Sequence, residues 1–131
     1  MPTRPLSPHL SVYRMSRYTL ATSIANRFTG VALSAGLLLL VYWLVAVAGG
    51  ARSYARALRV LTAPLTQLIY VALIVAFCYH LVAGVRHLVW DTGRGLERAQ
   101  SRSSARLVIA VSLVLILLLV YRVWFAGMRA T

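Results

Sequence analysis

LTQLIYVALIVAFCYHLVAGVRHLVWDTG, residues 65–93, decides how this chain folds. From Leu65 to Val85 it carries no charged residue. At about 1.5 Å of rise per residue, a helix over that run reaches across the ~30 Å hydrocarbon core of a bilayer. Pro64 stands just before it, where a helix can spare the N–H that proline lacks. The run ends in Arg86, His87, Trp90 and Asp91, charges with an aromatic anchor, as at a membrane–water boundary. His80, Gly84 and His87 fall at i, i+4 and i+7 and share one helical face. The stretch predicts a spanning helix over residues 65–90 with its polar chemistry gathered at one end.

Working outward, the run from Gly30 to Gly49 is also free of charge. A helix starting near residues 19–23 would make a first span over residues 21–48. Along it, Ser23, Arg27, Gly30 and Ser34 fall at i, i+4, i+7 and i+11, a polar and small-residue stripe on an apolar helix. Such a stripe faces protein or a cavity rather than acyl chains, as a functional surface or as plain close packing. Arg27 is equally readable as an arginine snorkelling to the interface. A third apolar run covers residues 107–127, with Tyr121 and Arg122 near its far end. Between the first two spans, Arg52, Arg56 and Arg59 lie opposite Tyr54, Leu58 and Leu61, which predicts a short amphipathic helix in the interface. Residues 92–106 read as a polar connector. The chain is thus expected to be a single membrane-anchor domain over residues 1–131: an all-α membrane protein with three transmembrane helices and an interfacial helix after the first.

Composition agrees. The 131 residues are 60% hydrophobic and only 12% charged, which excludes an ordinary soluble domain of this size. The net charge of +12 comes from 14 basic residues, all of them arginine. They stand between apolar runs, so lipid headgroups explain them better than nucleic acid does. Cys78 is the one cysteine, which excludes an internal disulfide, a cysteine zinc site and an iron–sulphur cluster held by this chain alone. Pro2, Pro5 and Pro8 break up residues 1–18, read as an extended arm on one membrane face; it lacks the apolar core of a signal peptide. Three spans put nine arginines on the side of the N-terminus and five on the other. The positive-inside bias then places the N-terminus in the cytoplasm, or in its mitochondrial equivalent, the matrix.

Ser23, Arg27, His80, His87 and Asp91 therefore belong to one half of the membrane. An imidazole inside hydrocarbon needs a partner. For His80 that partner is either another helix, through a hydrogen bond, or the iron of a flat macrocycle, with Gly84 one turn away leaving room for the ring. His87 is about 10 Å further along the same helix and cannot be the opposite axial ligand of the same iron, so six-coordination calls for a histidine from another chain. His87 is suited to a propionate contact or to pairing with Asp91 one turn on. Ser23 and Arg27 offer a hydroxyl and a fixed cation at the membrane border, where a quinone headgroup wants donors and its tail wants lipid.

Three pieces carry a resemblance to a known family: RPLSPHLSVYR (residues 4–14), SIANRFTG (residues 23–30) and HLVAGVRHLVWDTG (residues 80–93). Together with the three-span layout they resemble the cytochrome b subunit, the large membrane anchor, of succinate dehydrogenase (respiratory complex II). The resemblance implies that His80 is the axial ligand of a haem b shared with a small membrane anchor, a separate chain that supplies the second histidine and completes the bundle. It implies that Ser23 and Arg27 bind ubiquinone or another quinone, with Arg27 also near a haem propionate and Asn26, Gly84, His87 and Asp91 supporting the site. It implies docking to an iron–sulphur subunit and a flavoprotein subunit, and electron flow from succinate to quinone. The chain would be one subunit of that enzyme, not catalytic alone, in a bacterial inner membrane or the mitochondrial one. One departure is plain: where the family reads His-Arg, this chain reads Asn26-Arg27, and an amide hydrogen-bonds without carrying a proton charge near neutral pH. Two neighbouring readings are a fumarate reductase anchor oxidising quinol and a haem-free structural anchor.

Overall fold

The computed structural model describes residues 17–129, so the proline-bearing arm lies outside the described residues but for its last two. Those residues form four helices and no strand: α1 (Arg17–Ala48), α2 (Gly50–Leu61), α3 (Pro64–Asp91) and α4 (Arg98–Arg129). Three helices are long and apolar enough to cross a membrane, Arg17–Ala48, Pro64–Asp91 and Arg98–Val123. They are apolar all round, and no more than 17% of any spanning window is buried inside the chain. Leu37, Leu38, Leu68, Phe77, Leu117 and Leu118 are among the large side chains left exposed. In water such a surface would not persist; in a bilayer it is solvated by acyl chains.

The central helix is α3, packed against both α1 and α4. Its contacts are made by small residues. Thr22, Ala76, Cys78, Ala83, Ala105 and Ser112 are all buried, and short side chains let backbones approach where hydrophobic burial gives no drive. At Gly36 the approach is closest: an added Cβ would stand 2.7 Å from Leu73 Cδ2.

The predicted interfacial helix is present as α2. Ala57 and Leu61 bury against Ala46, with Tyr70 packed beside them, while Arg52, Arg56 and Arg59 stay exposed. The turn into it uses Gly50 at φ +80, a conformation that suits glycine. Thr66 Oγ1 donates to Val60 O at 2.6 Å and closes the corner between α2 and α3.

Two boundaries differ from expectation. The polar connector ends at residue 97, because α4 begins at Arg98 and not near residue 107. Beyond Gly95 the sequence has no breaker, and Ala99, Gln100 and Ala105 are strong helix formers. In the first span, α1 is already helical at Arg17, ahead of residues 19–23. Within its first turns the Thr22 hydroxyl donates back to Tyr18 O at 2.9 Å, inside the helix.

Candidate functional site

At the α1–α3 contact, α1 presents Thr22, Asn26, Thr29 and Gly30 to α3. This face is turned by one residue from the expected stripe of Ser23, Arg27, Gly30 and Ser34. Only Gly30 belongs to both. Ser34 is exposed and merely donates to Gly30 O at 2.9 Å.

His80 reaches across from α3. Its Nδ1 lies 3.2 Å from the main-chain oxygen of Asn26 and 3.2 Å from Thr29 Oγ1. The carbonyl can only accept. The Thr29 hydroxyl spends its proton on Ala25 O at 2.8 Å or Asn26 O at 3.0 Å, so toward the ring it also accepts. Two acceptors around one ring nitrogen require that Nδ1 carry the proton. In the neutral ring the lone pair is then on Nε2, which has no hydrogen-bond partner among the described residues. Gly30 makes the arrangement possible, since a Cβ there would stand 3.2 Å from His80 Cε1. One turn beyond His80, nothing lies within 4 Å of where a Cβ on Gly84 would sit.

The other predicted residues surround this point unequally. Asn26 is half-buried, and its Oδ1 is enclosed without a partner. Ser23 is half-buried, and Arg27 is exposed with no hydrogen bond or ion pair among the described residues. Both stand beside the packed face of α1, open to the bundle's outside. The expected pairing of His87 with Asp91 is not formed. The His87 ring instead meets the Trp90 ring edge-on, centroids 5.2 Å apart, and Asp91, the last residue of α3, is exposed.

A second polar cluster has no counterpart in the expectations from sequence. Arg86, which the sequence pattern places among the interfacial anchors, is only 8% exposed. Its Nε donates to Ser104 Oγ at 3.0 Å, its Nη1 to Thr22 Oγ1 at 3.1 Å and its Nη2 to Ser101 O at 3.0 Å. The guanidinium carbon sits 4.0 Å from the centroid of the Trp90 ring, and Trp90 Nε1 donates to Gly95 O at 3.1 Å, across the α3–α4 turn. Tyr79 adds a bond from its hydroxyl to Thr22 O at 2.8 Å. The signal that could have revealed it is the pair Ser101 and Ser104, one turn apart in a stretch otherwise filled with arginines, together with Thr22.

Residues 1–119 match the family model described as "Succinate dehydrogenase/Fumarate reductase transmembrane subunit". Among curated proteins, the succinate dehydrogenase cytochrome b556 subunit of Paracoccus denitrificans is 45% identical over 115 residues, 88% of each chain. The b556 subunit of Rickettsia typhi is 35% identical over 116 residues, 88% of this chain and 90% of that one. The mitochondrial cytochrome b560 subunit of Sus scrofa is 38% identical over 114 residues, 85% of this chain but 66% of the longer relative. These likenesses run through the spans and the polar face just described, and on them this multi-pass membrane chain belongs to the succinate dehydrogenase/fumarate reductase transmembrane subunit family.

Proposed function

We propose that this chain anchors a succinate:quinone oxidoreductase to the membrane, supplies one axial ligand to a haem b and forms part of its quinone-reduction site. The observation that carries the reading is the His80 imidazole. Its Nδ1 proton is committed to Asn26 O and Thr29 Oγ1, which leaves Nε2 unpartnered among the described residues, and one turn on along the helix Gly84 leaves open space. A histidine that binds metal characteristically donates its other ring N–H to a carbonyl, which fixes the tautomer and raises basicity. Among the described residues no three His, Cys, Asp or Glu side chains gather to hold a bare ion, so a metal at His80 needs a macrocycle that brings its own nitrogens. Haem b, when bound, supplies a one-electron redox centre.

A second histidine for the haem would come from a partner, the small membrane anchor, because the other described histidine, His87, lies on the same helix as His80. Ser23 and Arg27, open to the outside of the bundle, face where that partner and a quinone would meet. The Ser23 hydroxyl donates to a quinone carbonyl, and Arg27 stabilises the negative charge that grows on the oxygens as they are reduced. Arg27 stays protonated, so the two protons taken up come from water or from a residue elsewhere. Electrons arrive from succinate through a flavoprotein and an iron–sulphur protein bound at the cytoplasmic face. The names of the relatives favour succinate oxidation over fumarate reduction.

The test is a dithionite-reduced minus oxidised spectrum of the purified complex containing this chain. A b-type band at about one haem per chain is expected, and it should be lost in His80→Ala. A flat spectrum with intact succinate–quinone activity would remove the haem and leave a structural anchor. Arg27→Leu should lower quinone reduction by about tenfold or more while succinate oxidation with a soluble artificial acceptor survives. Equal loss of both would indicate failed assembly.

A further inference from the structure

We infer that Arg86 is a positioning residue for the quinone face of α1: it fixes the rotation of α1 against α3 and α4, and so where Ser23 and Arg27 stand. The inference rests on the quinone reading of those two residues.

Arg86 is a cation buried in a spanning helix, and every protein acceptor it uses is neutral: Thr22 Oγ1, Ser104 Oγ, Ser101 O and, at 3.3 Å, Ser101 Oγ. Among the described residues no carboxylate shares the site. A residue kept only for a charge pair would have one. What the group provides here is shape, since a planar guanidinium directs several donors in fixed directions at once and ties two other helices to α3 from one point. The Trp90 ring against its carbon holds the plane of the fork.

On α1 the grip falls on Thr22, and it falls there twice. Arg86 holds the side-chain oxygen, and Tyr79, two turns away on the same face of α3, holds the main-chain oxygen at 2.8 Å. Two contacts to one residue from points two turns apart resist both sliding and rotation. Ser23 is the next residue, and Arg27 follows about one turn later. On a helix about 10 Å across, a 20° rotation would displace the tip of the Ser23 side chain by roughly 2 Å. Displacements of that size break the hydrogen bonds that orient a reacting group. The His80 contacts lie higher on α1, at Asn26 and Thr29, and do not pass through Thr22. Loss of the clamp should therefore be felt at the quinone before it is felt at the haem.

The experiment compares Thr22→Val, Arg86→Lys, the double variant and Ser23→Ala in the assembled, purified complex. Thr22→Val keeps every charge and nearly the same volume while removing the acceptor. Arg86→Lys keeps the charge and removes the fork. Three readouts are taken: KM and kcat for a short-chain ubiquinone analogue, succinate oxidation with a soluble artificial acceptor, and the haem band. The expected result is a rise of about three- to tenfold in quinone KM for each single variant, with artificial-acceptor activity and haem unchanged. The double variant should be no worse than the poorer single one, because both cut the same link. An unchanged quinone KM in Thr22→Val overturns the inference. So does a proportional loss of every readout in that variant, which is the mark of a merely structural bond. Should Arg86→Lys fail to assemble, Thr22→Val decides alone. Ser23→Ala separates the two layers: if it leaves quinone KM unchanged, the quinone reading itself falls; if it raises KM and Thr22→Val does not, only the positioning role falls.

Discussion

A single missing methyl group at Gly30 decides how close His80 can lie to α1. A Cβ there would meet the ring at 3.2 Å, and the ring cannot retreat without leaving Asn26 O and Thr29 Oγ1. Gly30→Ala should therefore shift the ring by a few tenths of an ångström and leave haem bound with an altered spectrum. Gly30→Leu should displace it and abolish the band; the difference spectrum of each purified complex checks this. An unaltered spectrum in the leucine variant would mean that His80 does not hold the haem. His80 itself was legible in the sequence because a lone imidazole in an apolar run stands out. Gly30 was legible only as part of a stripe, and its contact with His80 was not, since a one-residue turn of a helix about its axis leaves its composition unchanged. The role of Arg86 was hidden for a related reason. Its position near the end of a span has the same pattern whether the side chain snorkels outward or turns inward to bond two other helices.

At the scale of the helix, the contact of α1 with α3 depends on Gly36 and Leu73. A side chain at Gly36 would run into Leu73 Cδ2 and Cδ1, at 2.7 Å and 2.9 Å from the first added carbon. Gly36→Ala is absorbed if the leucine tip swings away. Gly36→Ile pushes the helices apart, which typically costs about 1–3 kcal/mol. The expected outcome is a lower melting temperature of the complex in detergent, restored in good part by adding Leu73→Ala. No restoration would show that the two residues do not share the space. The helices were legible in the sequence as charge-free runs, and α2 as a band of arginines opposite a band of apolar residues. Their ends were less so. Residues 98–106 are rich in serine and arginine and read as loop; Ala99, Gln100 and Ala105 favour helix there, and the bonds of Ser101 and Ser104 to Arg86 of α3 add support from outside the segment. Such tertiary support has no local signature.

For the molecule as a whole, the arginine count sets an orientation. If the positive-inside bias holds and the N-terminus is in the cytoplasm, α2 is expected on the outer face and the start of α4 on the inner one. The chain is well suited to checking this, because its single cysteine, Cys78, is only 1% exposed and should stay silent to a membrane-impermeant maleimide. In spheroplasts, Arg56→Cys should be labelled from outside, and Arg98→Cys only after the membrane is opened. The opposite pattern would invert the topology and move His80 to the other leaflet. The surroundings of the three spans were the least legible part, since a lipid-facing leucine and a partner-facing one look alike in one sequence.

The unsatisfied ring nitrogen of His80 also bears on the life of the chain before assembly. Made alone, this protein would carry into hydrocarbon a bare imidazole lone pair that nothing among the described residues answers. Its three spans could insert and pack, yet the bundle would display an unmet polar demand at His80. A membrane protease or chaperone that senses exposed polarity inside the bilayer would thus have a mark by which to tell an orphan copy from an assembled one. The same nitrogen read as a ligand site would then act as a timer, quiet once filled and conspicuous while empty.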